Sequence, residues 1–118
     1  MAGMPESEFQ RLVIDLAHLY GWKVAHFRPA KTGKGWRTPV SADGQGFPDL
    51  VLARKGFRIF AELKVGKNQP GDKQQAWLKA LGPDDPRTIV RCWWPKDWPE
   101  IKATIEQFGN GKLLAPNS

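Results

Sequence analysis

A chain of 118 residues, 41% hydrophobic and 25% charged, has the length of one domain and the makeup of an ordinary globular protein. No apolar run approaches about 18 residues, and residues 1–6 carry neither the basic nor the apolar block of a signal peptide, so a cytoplasmic location is expected. The single cysteine, Cys92, rules out an internal disulfide framework and a cysteine-rich zinc site, while the net charge of +6 favours a polyanionic partner.

Residues 6–20 place Phe9, Leu12, Val13, Leu16, Ala17, Leu19 and Tyr20 at helical spacing, with Pro5 acceptable at the start and Gly21 as the stop. Residues 22–28 read as a strand. The stretch 28–37 then holds Arg28, Lys31, Lys34 and Arg37, no acid, and Trp36, and its Pro and Gly content predicts a loop that runs on to about Gly46. Such a loop can grip phosphates and lay Trp36 against a base or an unpaired strand, or fold Trp36 back as a lid on the core.

Next come two apolar runs, 50–53 and 59–61, joined by a tight turn at Lys55-Gly56, which predicts a hairpin. Facing Arg54 with Phe57 and counting outward brings Asp49 opposite Glu62, where cross-strand neighbours stand about 4.5–5.5 Å apart at Cβ. The period of two sends Glu62 and Lys64 the same way, and Asp49 joins them from the partner strand. Because the runs are apolar without alternation, both strands are expected to be central and covered on both faces. Two carboxylates at the ends of such strands repel unless a cation neutralises them, and Mg²⁺ or Mn²⁺ suits oxygen ligands of this kind. The plain alternative is a solvated Glu62/Lys64 pair on an edge strand, with Asp49 starting a turn.

After a turn over 66–71, residues 72–81 predict a second helix stopped by Gly82-Pro83, residues 88–94 a last strand that packs Cys92 as a small apolar residue, and residues 97–108 a final helix. The tail 109–118 is expected to be frayed. On the first helix Glu6 lies nearer the apolar centre than Glu8, so it is the better candidate to point at the strand ends, or else a first-turn acid that complements the helix dipole. On the second, Gln74 heads the face of Leu78 and Leu81, placed to bond a metal-bound water or phosphate, or to act as a cap. His18 and His26 are expected to be structural or to face DNA, and Arg91 to meet a phosphate or an ion-pair partner. Most of the tryptophans are expected in the core, an exposed subset forming a dimer surface.

The ordered set Glu6, Gly46-Phe47-Pro48-Asp49, Glu62-Leu63-Lys64 and Gln74-x-x-Trp77-Leu78 resembles the PD-(D/E)XK nuclease superfamily, and within it the VRR-NUC family, over residues 6–108. The resemblance implies an α/β fold with a restriction-endonuclease-like core, a mixed central sheet flanked by helices in the order αβββαβα. It implies a Mg²⁺- or Mn²⁺-dependent DNA endonuclease, bacterial or phage in setting, acting as a homodimer on branched DNA such as Holliday junctions. Carried over, Asp49, Glu62 and the Leu63 backbone carbonyl are the metal ligands, with Glu6 joining through a water. Lys64 positions the attacking water or offsets transition-state charge, and Gln74 stands behind it. Arg28, Lys31, Lys34, Trp36, Arg37, Lys67 and Lys73 are the expected DNA contacts. The competing readings are a non-catalytic DNA-binding module, and a general nicking or restriction-like nuclease without preference for branches.

Overall fold

In helix α1 (Glu6–Leu19) the buried residues Phe9, Val13 and Ala17 fall four apart, so one narrow stripe faces the sheet. Gly21, at φ 82°, then turns the chain back, with Trp22 N–H donating to the Ala17 carbonyl at 3.0 Å. Strand β1 (Lys23–His26) follows. A computed structural model of the chain describes residues 3–27, 30–32, 35–37 and 41–110, for 30–32 and 35–37 the backbone alone.

Within the basic stretch, β2 (Ala30–Thr32) and β3 (Gly35–Arg37) form their own antiparallel ladder, where the sequence predicted a loop. Three-residue strands in a Gly- and Lys-rich stretch carry no apolar alternation in sequence, so no hydrophobic period announced them. Strands β4 (Leu50–Arg54) and β5 (Phe57–Leu63) make the predicted hairpin, paired from Arg54↔Phe57 to Leu50↔Ala61. Lys55 and Gly56, at φ 53° and 85°, give the two-residue turn whose twist suits a hairpin. Helix α2 (Asp72–Leu81) crosses over to β6 (Thr88–Trp93), which runs parallel to β5. A 3₁₀ turn, Pro95–Asp97, precedes α3 (Trp98–Gln107). The Asp97 carboxylate tightens that turn by accepting Trp94 N–H at 2.8 Å, so the last helix begins one residue later than expected.

The result is a mixed α/β structure on a four-stranded sheet of order β1-β4-β5-β6, with β4 and β5 central as expected. Coverage is unequal. Leu50, Leu52, Ile59, Ala61 and Leu63 are fully buried on one face against Phe9, Val13, Trp22, Ile101 and Ile105. The other face leaves Val51 and Phe60 half-buried and Ala53 and Arg58 exposed. That corrects the expectation of two covered faces: α2 contributes no fully buried residue, and an unbroken apolar run does not reveal how much of its second face is covered. None of the described helices is long and apolar enough to cross a membrane.

Strand directions decide where chemistry collects. β1, β5 and β6 end at the edge where β4 begins, and α1, α2 and α3 all start from that edge. At the opposite edge Arg54 donates to the carbonyls of Tyr20 at 2.7 Å and Phe108 at 2.5 Å, and its guanidinium stacks 4.4 Å from the Trp22 ring. A buried cation thus meets the carbonyl ends of α1 and α3.

Candidate active site

Asp49 stands immediately before β4, one step past the last ladder pair. Its Oδ2 accepts the Leu63 backbone N–H at 2.9 Å, which continues the strand pairing through a side chain and fixes the carboxylate against β5. A residue in an antiparallel ladder turns its N–H and C=O to the same neighbour, so the Leu63 carbonyl faces the Asp49 side as well.

Glu62, next along β5, is 2% exposed. Its Oε2 accepts Gln74 Nε2 at 2.7 Å and lies 3.5 Å from Lys64 Nζ, while Oε1 is buried with no hydrogen-bond partner among the described residues. Gln74 takes the capping role weighed for it, and its amide nitrogen turns to a carboxylate of the site. Its Oε1 accepts Gly71 N–H at 2.8 Å, capping α2, and its amide nitrogen reaches Glu62. Gln75, by contrast, is exposed and bonds the Pro70 carbonyl.

Glu6 opens α1 at the same edge, its carboxylate accepting Gln10 Nε2 at 3.2 Å. Glu8 is exposed, beside a separate pocket with Arg11 and His26, so the inward acid is Glu6. All three carboxyls feel the crowding. Burial pushes the Glu62 carboxyl up from its ordinary value near 4.5 to about 7, with repulsion from Asp49 adding and Lys64 opposing. Burial also raises Asp49, against the Leu63 N–H and Lys64, and raises Glu6, where Asp49 repels in addition. Across β6 the Cys92 thiol, half-buried and paired with Glu62 in the parallel register, is pushed up to about 11 by burial and by Glu62.

Among the described residues no three His, Cys, Asp or Glu side chains come close enough to hold a metal by themselves. The donors on offer are two carboxylates and one backbone carbonyl. They suit a hard cation that keeps several waters, and the unpartnered, buried Glu62 Oε1 is an acceptor that such an ion would satisfy.

Of the expected DNA contacts, Lys67 is exposed beyond Lys64, and Lys73 Nζ donates to Gln45 Oε1 at 2.7 Å on the loop leading to Asp49. Arg28 and Lys34 lie outside the described residues, as do the side chains of Lys31, Trp36 and Arg37 and the tail from 111. Arg91 belongs to ion pairs, 2.7 Å from Asp84 and 3.5 Å from Glu100. Trp22 and Trp93 are core, while Trp77, Trp94 and Trp98 are half-buried.

Gly46, quoted in the sequence motif without a role, has a positioning one in the structure. A Cβ on Gly46 would stand 2.7 Å from the Lys73 backbone carbon, and Gly46 sits at φ 88°. Glycine there lets the Asp49 loop approach α2 one residue before Gln74. Its place in Gly46-Phe47-Pro48-Asp49 marked it in sequence, but nothing there signalled the close approach to α2. No family model matches the chain, and no curated protein matches its sequence.

Proposed function

We propose that the chain is a Mg²⁺- or Mn²⁺-dependent deoxyribonuclease with a restriction-endonuclease-like core, of the PD-(D/E)XK type that its motifs resemble. The observation that carries this reading is the near-complete burial of Glu62 beside Asp49 with one oxygen unsatisfied and Lys64 on the same face. An ordinary surface ion pair explains neither the burial nor the raised carboxyl groups.

Asp49, Glu62 and the Leu63 carbonyl would hold the cation, with Glu6 one shell further out. When bound, such an ion polarises a phosphoryl oxygen and makes water acidic enough to attack near neutral pH. Lys64 sets a positive charge where negative charge develops on the phosphate oxygens. Gln74, pinned at both ends of its amide, holds the Glu62 carboxylate in one orientation and keeps Oε1 turned into the site. Lys67 and Lys73 flank this edge as phosphate contacts, and Arg28, Lys31, Lys34, Trp36 and Arg37 are proposed as further DNA contacts from the sequence. A cytoplasmic setting, a homodimer and branched DNA as substrate complete the reading.

The test is cleavage of a four-way junction, a flap, plain duplex and single strand, each with Mg²⁺, Mn²⁺ or EDTA. Metal-dependent products that disappear in Asp49→Asn and Lys64→Ala support the proposal. DNA binding without cleavage in any metal, with affinity unchanged or raised in Asp49→Ala, would instead show a binding module.

A further inference from the structure

The ends of the sheet form a row along the edge described above. Phe27 closes β1, with its N–H donating to the Asp49 carbonyl at 2.8 Å; Asp49 opens β4, Lys64 follows β5, and Trp94 follows β6. Lys64 N–H donates to the Trp93 carbonyl at 2.9 Å, and Leu63 pairs with Trp93, so the next step in register sets Trp94 beside Lys64 at about one strand spacing, ~4.8 Å. A pocket of about 550 Å³ opens on the Trp94 side of this row, two residues along the chain from Lys64, lined in part by Met4, Gly66, Gln69, Trp94 and Lys96, with no carboxylate among the described residues of its wall.

We infer that this pocket receives one unpaired nucleotide of the DNA strand at the Lys64 site, its base on the Trp94 ring and its phosphate on Lys96. The inference rests on the nuclease reading and deepens it by naming what the site selects. Trp94 is half-buried, and its indole N–H donates to the Asn68 carbonyl at 3.0 Å, so the ring is held in place before any ligand arrives. A fixed aromatic loses little freedom on binding. Lys96 Nζ lies 5.8 Å from the ring centroid, close enough for one nucleotide to use both groups. The exposed Gln69 amide adds a donor and an acceptor for a base edge.

The volume falls within the range that small ligands fill. A base still paired and stacked in duplex DNA has both faces covered, so only an unstacked nucleotide offers a face to Trp94. Selection for frayed or branched substrates therefore follows from the wall next to Lys64.

The test is equilibrium binding, in EDTA, of a dye-labelled single-stranded oligothymidylate and of a blunt duplex of equal length. Trp94→Ala should weaken single-strand binding roughly 5- to 150-fold and leave duplex binding unchanged. Trp94→Phe, which loses the bond to Asn68 but keeps a ring face, should retain most of the affinity. Lys96→Gln, at an exposed position that does not threaten folding, should weaken single-strand binding several-fold and flatten its salt dependence by about one counterion. Single-strand binding unaffected by Trp94→Ala or by Lys96→Gln overturns the inference alone, as does Trp94→Phe behaving like Trp94→Ala. Wild-type protein that binds neither DNA overturns the nuclease reading with it.

Discussion

Replacing Glu62 with glutamine should stabilise the metal-free protein at alkaline pH. In the folded chain burial and Asp49 hold the Glu62 proton up to about pH 7, whereas in the unfolded chain it leaves near 4.5. Between those values the folded state binds more protons than the unfolded state, so stability falls as pH rises through the window and levels off above it. At about 1.4 kcal/mol per unit, the ionised Glu62 side chain costs folding about 3 kcal/mol at pH 8, and essentially nothing below pH 4.5. Glutamine keeps the shape and can still accept from Gln74, but it carries no charge to desolvate. Urea denaturation in EDTA at about pH 5 and about pH 8 reads the effect. The wild type should lose about 2–3 kcal/mol between the two, and Glu62→Gln should lose much less, ending more stable than the wild type at the higher pH. A variant that is destabilised equally at both pH values would refute the claim that Glu62 is buried against its own charge.

Millimolar Mg²⁺ or Mn²⁺ should raise the wild-type melting temperature, with the gain abolished in Asp49→Asn, as thermal melts with and without EDTA would show. Gly46→Ala should press on the Lys73 backbone and break the Gln74–Glu62 contact; hydrogen exchange should quicken in α2, metal affinity should fall, and global stability should drop by about 1–3 kcal/mol. Arg54→Met should cost about 2–5 kcal/mol in denaturant melts, because the carbonyls of Tyr20 and Phe108 lose a charged donor, while metal binding at the opposite edge stays intact.

The site was legible because its geometry is local. The Lys55-Gly56 turn fixes the parity of the β4–β5 ladder, and parity alone carries Asp49 and Glu62 to the same place. Gln74 could be read from the helical period for the same reason. Arg54 could not be: its partners lie 34 and 54 residues away, so in sequence it is only the polar end of a hairpin strand. The β2–β3 ladder and the half-open sheet face were hidden differently, since neither is encoded in an apolar period, and the coverage of the sheet face depends on what the tertiary fold sets alongside. Trp94 carried a weak signal, being one of six tryptophans, until the parallel β5–β6 register set it next to Lys64.

The three helix starts at the site edge do not make the carboxylates comfortable. A helix N-terminus favours a nearby anion by about 0.3–1 kcal/mol, and Lys64 stands 3.5 Å from Glu62, yet the Glu62 carboxyl still titrates near 7. The fold supplies fixed dipoles and one ammonium against one buried carboxylate and two half-buried ones, and the balance remains negative. At the other edge one buried guanidinium donates through Nη1 and Nη2 to carbonyls at the ends of α1 and α3, with no carboxylate among its hydrogen-bond partners and its Nε left without one among the described residues. In the proposed nuclease the unpaired Glu62 Oε1 is the position that a bound cation would take, and the surplus of negative charge around it is what that cation would offset.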